Sequence, residues 1–215
     1  MPSDPLTAPA LANAPGFLVA LEGIDGVGKS TQSRLLAAWA RGLGREVVES
    51  REPTDGPEGR EIRRRAREGR LGAREEMELF LRDRARHVRE LVRPALAAGK
   101  LVVLDRYYVS SMAYQGARGI DPEEIRRANE AFAPRPDAVL LMELPVEEAV
   151  ARLRARGAGG PDLFERAEAL AQVAGVFAGL EWPEVARLDA RLPAQDVQAR
   201  VREVLGRHEW FRGGG

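Results

Sequence analysis

Short apolar runs alternate along this chain with longer stretches in which apolar residues recur every three or four positions. The short runs are rich in aliphatic residues and are bounded by polar or turn-forming ones, which predicts strands. Continuous apolar runs of this kind are typical of strands that are buried on both faces of a parallel sheet. The predicted strands are Phe17–Glu22, Glu46–Ser50, Leu101–Asp105, Ala138–Glu143 and Glu184–Leu188.

The longer stretches predict amphipathic helices, and glycines near positions 42–44 and 97–99 supply signals that end two of them. The alternation of strands and helices predicts an α/β fold in three layers, with a five-stranded parallel sheet between helices. The predicted helices are Lys29–Leu43, Pro57–Glu68, Glu75–Ala98, Pro122–Ala133, Val146–Arg156, Phe164–Leu180 and Ala194–Gly206.

The pattern predicts one domain, residues 17–207, between two short terminal segments. Residues 1–16 are rich in Pro and Ala and lack the basic start of a signal peptide, so we expect a flexible leader. Residues 208–215 are expected to form a C-terminal tail. Inside the domain, the glycine-rich stretch 157–161 separates two predicted helices and predicts the hinge of a short lid over about residues 153–166.

Charge and composition exclude several classes of function. Lys plus Arg and Asp plus Glu each number 33, so the net charge is zero and no overall field favours nucleic acid or a membrane. No apolar stretch reaches the roughly 20 residues of a membrane span. The chain has no cysteine and two histidines, which leaves no thiolate site and no zinc-type ligand cluster. We expect a cytoplasmic protein.

One octet, GIDGVGKS from Gly23 to Ser30, matches the phosphate-binding pattern G-x-x-x-x-G-K-[ST]. Lysine occurs in this chain only as Lys29 and Lys100, so chance explains the match poorly. The octet lies between a predicted strand and a predicted helix, which aims backbone N–H groups and a helix N-terminus at phosphates. It predicts a P-loop NTPase fold that binds the phosphates of a nucleoside triphosphate, with these contact residues: Gly23, Gly26, Gly28, Lys29, Ser30 and Thr31.

Polar residues follow the predicted strands directly, where ligands bind in a parallel sheet. Asp105 ends an apolar strand and is predicted, with the Ser30 hydroxyl, to bind Mg²⁺. Arg106 comes next, and a guanidinium beside a magnesium ligand suggests a clamp on a second anionic group. Asp25 is predicted to contact magnesium or the acceptor, and capping of its turn is the alternative.

The rest of the sequence narrows the possible classes of NTPase. The N-K-x-D motif of signalling GTPases does not occur in the sequence. The basic segment GREIRRRAREGR over residues 59–70 reads as a solvated helix, of which one or two arginines could face an anionic substrate. A small chain with a glycine loop, a short lid and extra arginines fits a kinase of small anionic molecules.

Four blocks of sequence carry a more specific resemblance. They are FLVALEGIDGVGKSTQ from Phe17, REP from Arg51, LFLRDR from Leu79 and DRYYVSSMAYQG from Asp105. The last block is the most specific, since it matches the pattern D-R-Y-x-x-S-x-x-A-Y-Q-G. From Phe17 to about Leu205, the chain resembles the thymidylate kinase family, whose members phosphorylate dTMP with ATP.

The resemblance implies ATP and Mg²⁺ as requirements, a homodimer, and roles for particular residues. It implies that Phe80 stacks on thymine, that Arg84, Ser111 and Gln115 hydrogen-bond the base, that Tyr114 packs against the sugar and selects deoxyribose, that Arg63 and Arg106 hold the monophosphate, and that Glu52 and Asp105 order the magnesium and phosphate region.

The lid departs from the family pattern. Leu163 stands where the resemblance leads us to expect an arginine, and Arg152, Arg156 and Arg166 are the other candidates to reach the transferred phosphate. We favour Arg156, beside the glycine hinge. The residues predicted to act in catalysis are then Lys29, Asp25, Arg106 and Arg156.

Two alternatives remain open at this stage. After Pro53 the chain reads Thr-Asp-Gly-Pro where many relatives have Gly-Gly-Thr, so a kinase for another nucleotide or nucleoside is possible. The reduced lid leaves open a degenerate relative that binds nucleotides with low activity.

Overall fold

The structure is a computed structural model that describes residues 16–157 and 163–212. Its strands are β1 Phe17–Glu22, β2 Val47–Arg51, β3 Leu101–Asp105, β4 Ala138–Glu143 and β5 Val185–Asp189. All pair in parallel, in the order β2-β3-β1-β4-β5. The predicted α/β fold with a five-stranded parallel sheet is therefore confirmed, and β2 and β5 are each displaced by one residue from the prediction.

Helices connect the strands and cover the sheet. A π-helical turn, Val88–Val92, joins α3 to α4, so the single helix predicted over residues 75–98 is not uniform. Helices α5 and α10 have no counterpart among the predicted helices. The helices are α1 Lys29–Gly42, α2 Pro57–Glu68, α3 Ala73–His87, α4 Arg93–Ala97, α5 Tyr108–Gly116, α6 Pro122–Glu130, α7 Val146–Ala155, α8 Leu163–Ala178, α9 Ala194–Leu205 and α10 Glu209–Arg212.

The predicted terminal segments and the predicted lid are covered only in part. Residues 1–15 of the leader, 158–162 of the lid and 213–215 of the tail lie outside the described residues. Helix α7 ends before the predicted hinge, and α8 begins after it and packs against α5 and α7. Within the described ranges, none of the helices combines the length and the apolar character that a bilayer crossing requires.

The strand order explains why the first and third strands are so apolar. Strands β1 and β3 lie in the middle of the sheet, and Leu18 and Val103 within them are fully buried. The chain leaves β1 and returns on both of its sides, as β3 and β4. In such sheets a crevice opens beyond the carboxyl ends of the strands at this point, and ligands bind there.

An aromatic cluster closes the opposite end of the sheet. Phe17, at the start of β1, contacts Phe211 of α10 edge to face, with ring centroids 5.3 Å apart. Phe211 in turn stacks on Trp39 of α1, at 5.3 Å and 9° between the rings. Trp210 completes this aromatic cluster. The cluster anchors residues 209–212, which were predicted only as part of a tail.

Candidate active site

The glycine loop between β1 and α1 has a backbone that side chains would disturb. Gly23, Gly26 and Gly28 have φ values of 129°, 91° and 100°, in the region that favours glycine. A Cβ on Gly23 would lie 2.4 Å from the Met142 carbonyl oxygen, and one on Gly26 would lie 2.7 Å from that of Ala149. These glycines therefore allow the tight loop that turns backbone N–H groups toward a phosphate.

Lys29 begins α1 and turns its amine back into the loop. The Nζ atom donates to the carbonyl oxygens of Gly23, at 3.0 Å, and of Ile24, at 2.8 Å. Burial lowers the pKa of Lys29 to about 7, and the charge of Arg106 adds to that effect, against the opposing charge of Asp25. An anion bound in the loop would favour the charged form of this lysine.

Ser30 and Asp105, the two residues predicted to bind magnesium, lie in contact at the mouth of the loop. The Ser30 hydroxyl donates a short hydrogen bond to Oδ2 of Asp105. Both groups are hard oxygen ligands, and Mg²⁺ is commonly held by one or two such groups together with phosphates and water. In the described part of the chain, no cluster of three or more His, Cys, Asp or Glu side chains could hold a metal alone. The donor set therefore fits a magnesium ion that arrives with a triphosphate.

Arg106 is the most constrained side chain of the site. Among the described residues it is the one non-glycine residue with a left-handed backbone, at φ 74°. Its guanidinium donates to Asp25 Oδ1 at 2.6 Å, to Ser110 Oγ at 3.0 Å, to Tyr114 Oη at 3.1 Å and to the Gly23 carbonyl oxygen at 3.2 Å. It also lies 4.9 Å from the centroid of the Tyr114 ring. The charge is thus held in one place before any substrate binds.

Glu22, for which no role was predicted, stabilises the turn that carries Arg106. Its carboxylate is fully buried, accepts from the backbone N–H of Tyr107 at 2.9 Å, and accepts a short hydrogen bond from Ser110. Burial raises the pKa of Glu22 to about 7, against the hydrogen bond from Ser110 and the charge of Arg106. An acidic residue at the end of a wholly apolar strand is the signal that could have revealed it.

A buried ionic network lies behind the loop that follows β2. One oxygen of Glu52 accepts from Arg84 Nε at 2.7 Å, and the other is 2.9 Å from His87 Nδ1. Arg84 also donates to Asn129 Oδ1 at 2.5 Å and to Ser111 Oγ at 3.0 Å. The predicted base contact Arg84 is therefore itself fixed by acceptors, while each terminal nitrogen keeps a second hydrogen for a ligand. His87 is a further residue that the sequence analysis did not assign.

A cavity of about 250 Å³ opens between α2, α3 and α5. We call it the acceptor cavity. It brings together most of the residues that the resemblance assigned to dTMP, and it adds others, such as Arg70 and Glu76. Its walls are Asp25, Glu52, Pro53, Ile62, Ala66, Arg70, Glu76, Phe80, Arg84, Arg106, Tyr107, Ser110, Ser111, Tyr114 and Gln115.

A second cavity, of about 370 Å³, surrounds the glycine loop, and we call it the glycine-loop cavity. The two cavities share Asp25, Glu52, Pro53 and Arg106, so they adjoin at these residues. Its walls are Asp25, Gly26, Gly28, Lys29, Ser30, Thr31, Arg51, Glu52, Pro53, Arg63, Asp105, Arg106, Leu153 and Arg156.

Arg63 lies on the glycine-loop side of this boundary. Its guanidinium donates to the Pro53 carbonyl oxygen and to Asp55 Oδ1, each at 2.8 Å. Arg51 lines the same cavity and contacts Asp55 at 3.3 Å. The predicted site residue Arg63 thus lines the same cavity as Arg51, for which no individual role was predicted.

The lid arginines differ in what they contact. Arg156 follows the last residue of α7 and lines the glycine-loop cavity. Arg152 donates to the Ala190 carbonyl oxygen at 2.9 Å, in the segment after β5. The side chains of Leu163 and Arg166 lie outside the described part of the structure.

The loop after Pro53, which lacks the Gly-Gly-Thr stretch of many relatives, is hydrogen-bonded to α3. Thr54 donates to the carboxylate of Asp83 with its backbone N–H, at 2.8 Å, and with its hydroxyl, at 2.6 Å. Gly59 lies against the same residue, since a Cβ there would be 1.9 Å from the Thr54 carbonyl oxygen. These contacts of Thr54 thus give the loop a fixed position next to Pro53, which lines both cavities.

A glycine loop with an adjoining acceptor cavity is the arrangement expected of a P-loop nucleoside monophosphate kinase. Comparison with known proteins agrees. The model of the thymidylate kinase family matches residues 21–201. A thymidylate kinase of Akkermansia muciniphila is 51% identical over 190 residues, which cover 88% of this chain and 91% of that protein.

Relatives from other bacteria give the same result. A thymidylate kinase of Xanthomonas oryzae pv. oryzae is 47% identical over 190 residues, and one of Xanthomonas campestris pv. campestris is 46% identical. Each alignment covers 88% of this chain and 83% of the relative. The chain belongs to the thymidylate kinase family, which confirms the resemblance drawn from its motifs.

Proposed function

We propose that this protein transfers the γ-phosphoryl group of ATP to dTMP and releases ADP and dTDP. The observation that carries the proposal is the boundary between the two cavities, where Asp25, Glu52, Pro53 and Arg106 belong to both. A donor phosphate on one side can there meet an acceptor phosphate on the other. The named relatives support dTMP as the acceptor, and they do not favour the alternatives of another acceptor or a degenerate protein.

The triphosphate of ATP is proposed to lie on the glycine loop. Backbone N–H groups of the loop and the N-terminus of α1 face this cavity, and Lys29 supplies a buried positive charge. Ser30 and Asp105 would hold Mg²⁺. When bound, magnesium neutralises charge on the phosphates.

The nucleoside of dTMP is proposed to fill the acceptor cavity. Phe80 offers a ring face to the base, and Arg84 and Ser111 offer hydrogen-bond donors to its edge. Tyr114 lines the same cavity and accepts a hydrogen bond from Arg106, which lines both cavities, so Tyr114 suits a contact to the sugar. The acceptor phosphate then points at Arg106.

The chemistry needs little proton transfer from the protein. A phosphate oxygen of dTMP attacks the γ-phosphorus of ATP, the new P–O bond forms, and the bond to the β-bridging oxygen breaks as ADP leaves. The acceptor phosphate is largely deprotonated at pH 7, because its second pKa is about 6. Catalysis then depends on holding two polyanions in line and on stabilising their charge, for which Lys29, Arg106 and Arg156 are the proposed groups.

We further infer a homodimer and a cytoplasmic location. The dimer is the assembly expected from the family resemblance, and sedimentation velocity at micromolar concentration measures it directly. A monomer that is fully active would overturn this part of the proposal.

An assay of ADP release tests the proposed reaction. ATP and Mg²⁺ are supplied with dTMP, dUMP, dCMP, dGMP, dAMP or thymidine, and mass spectrometry identifies the product. We expect dTMP to be preferred over dCMP, dGMP and dAMP by at least about tenfold in kcat/KM, because the pocket edge is fixed by buried hydrogen bonds. Preference for another acceptor, or binding of dTMP without turnover, would contradict the proposal.

Replacing Phe80 with alanine is expected to weaken dTMP much more than ATP. Stacking of a base on an aromatic ring contributes about 1–3 kcal/mol, so the KM for dTMP should rise by about 5- to 150-fold. Phe80 lines the acceptor cavity and not the glycine-loop cavity, so the KM for ATP should change little. Steady-state kinetics with each substrate varied in turn gives both values.

A matched control for this substitution is Phe132→Ala. Phe132 is a partly buried phenylalanine that packs against the core and lines neither cavity. It should leave both KM values near those of the unsubstituted protein. Equal losses for dTMP and ATP in the Phe80 variant would rule out its stacking role.

A further inference from the structure

One polar atom of the acceptor cavity has no partner. Gln115 is buried, with 1% of its surface exposed, and it lines this cavity. Its amide nitrogen donates to Oε1 of Glu76 at 3.1 Å. Its amide oxygen is buried without a hydrogen-bond partner among the described residues. A buried acceptor left unpaired is costly, so this oxygen is placed to accept a hydrogen bond from a ligand.

Glu76 determines which end of the Gln115 amide is left to face a ligand. Two arginines surround its carboxylate, Arg70 at 2.9 Å and Arg118 at 2.8 Å. Burial by itself raises the pKa of Glu76, but the hydrogen bonds from Arg70 and Gln115 and the nearby arginine charges outweigh it, so the pKa lies below its ordinary value. An ionised carboxylate can only accept hydrogen bonds. The amide nitrogen of Gln115 must therefore face Glu76, and its oxygen must face away.

We propose that Glu76 is a positioning residue for base specificity: by holding the amide nitrogen of Gln115, it presents the amide oxygen to the cavity and selects pyrimidines that carry a hydrogen on N3. Thymine and uracil have this N3–H donor. Cytosine has a bare, accepting nitrogen at N3, which would meet the Gln115 oxygen acceptor to acceptor. The inference rests on the proposed function, since it takes the acceptor cavity to be the site of the base.

The rest of the cavity agrees with an imide base. Arg84 keeps unused N–H groups, and its Nη2 lies 3.0 Å from the Ser111 hydroxyl. These donors suit a carbonyl at position 4, as in thymine and uracil, and oppose the 4-amino group of cytosine. Gln115 then reads N3 of the base and Arg84 reads the group at position 4. Glu76 controls the orientation of the Gln115 amide.

The experiment compares dTMP with 5-methyl-dCMP, which keeps the methyl group and differs only at the edge formed by N3 and position 4. Dissociation constants for both are measured by calorimetry on the unsubstituted protein and on Glu76→Gln. A glutamine at position 76 can donate as well as accept, so the Gln115 amide becomes free to turn. We expect the preference for dTMP over 5-methyl-dCMP to fall by about tenfold, because the donors of Arg84 still oppose the 4-amino group.

A second variant guards against loss of folding. Glu76→Asp keeps a negative charge against Arg70 and Arg118 but withdraws the carboxylate from the amide nitrogen, so it should narrow the preference in the same direction. In a Gln115→Leu background, Glu76→Gln should leave the preference unchanged, because the amide through which it acts is absent. Melting temperatures identify any variant that is unfolded.

The matched control is Glu58→Gln. Glu58 is a partly buried carboxylate paired with Arg86 at 2.5 Å, and it lines neither cavity. Glu58→Gln should leave the preference for dTMP over 5-methyl-dCMP unchanged.

If both Glu76 variants weaken the binding of the two nucleotides by the same factor, the role of Glu76 is structural and the inference is overturned. Failure of the proposed function is a separate result, since absence of dTMP turnover is seen in the kinetic assay and the binding preference is measured without turnover.

Discussion

Alanine at position 29 is expected to lower kcat/KM for phosphoryl transfer by about 10³ or more, equivalent to about 4 kcal/mol of transition-state stabilisation. Lys29 is the buried one of the two lysines, both of which the structure describes, and its amine lies inside the loop that would hold the transferred phosphate. Its positive charge would act on the transferred phosphoryl group, whose negative charge is redistributed during the reaction. Initial rates of ADP release with saturating dTMP measure the loss.

The chain offers one other lysine as a control. Lys100 lies just before β3, at the end of the sheet opposite the glycine loop, and pairs with Glu46. Lys100→Ala should retain full activity. Because burial already disfavours the charged form of Lys29, the Lys29 variant should stay folded, with a melting temperature within about 5 °C of the original. An active, folded Lys29→Ala protein would refute the assignment of this loop.

Replacing Arg106 by lysine is expected to lower kcat/KM by about 10², although the charge is retained. Arg106 donates to four different groups and stacks over Tyr114, and a single ammonium cannot reproduce that set of contacts. It also lines both cavities, so its displacement should disturb the alignment of donor and acceptor. We expect the loss to fall mainly on kcat.

Arg135→Lys is the matched control for this substitution. Arg135 also combines an acidic partner, Glu184 at 3.0 Å, with an aromatic ring, that of Trp182, but it lines neither cavity. Steady-state kinetics with both substrates varied separates the effects on kcat and KM. A loss confined to the KM for one substrate, dTMP or ATP, with kcat unchanged, would show that Arg106 binds that substrate and does not align the two.

The sheet could be predicted from the sequence because its strands are buried on both faces. Strands β1 and β3 are runs of aliphatic residues with polar ends, and no tertiary information is needed to recognise them. Helix α5 was missed for the opposite reason. Residues from Tyr108 to Gln115 are buried on nearly all sides, so the apolar residues show no helical stripe. Helix α10 is four residues long, which is too short for any periodicity.

The predicted site residues depended on motifs, and the unpredicted ones depend on contacts between distant parts of the chain. The glycine loop and the Asp105–Arg106 pair are continuous in sequence and could be recognised as such. Glu22 acts on a turn 85 residues away, and Glu76 on an amide 39 residues away. The apolar strand before Glu22 marks that residue as unusual, but nothing in the sequence shows which distant partner Glu22 or Glu76 contacts.

The aromatic cluster at the far end of the sheet gives the protein an intrinsic optical reporter. None of the three tryptophans lines either cavity, and two of them, Trp39 and Trp210, belong to this cluster. Helix α1 carries Trp39 about 10 residues, or about 15 Å, beyond Lys29. Emission from Trp39 and Trp210 therefore reports on the end of the sheet opposite the nucleotides. A ligand-induced shift of the fluorescence melting curve consequently measures how cooperatively the whole domain unfolds.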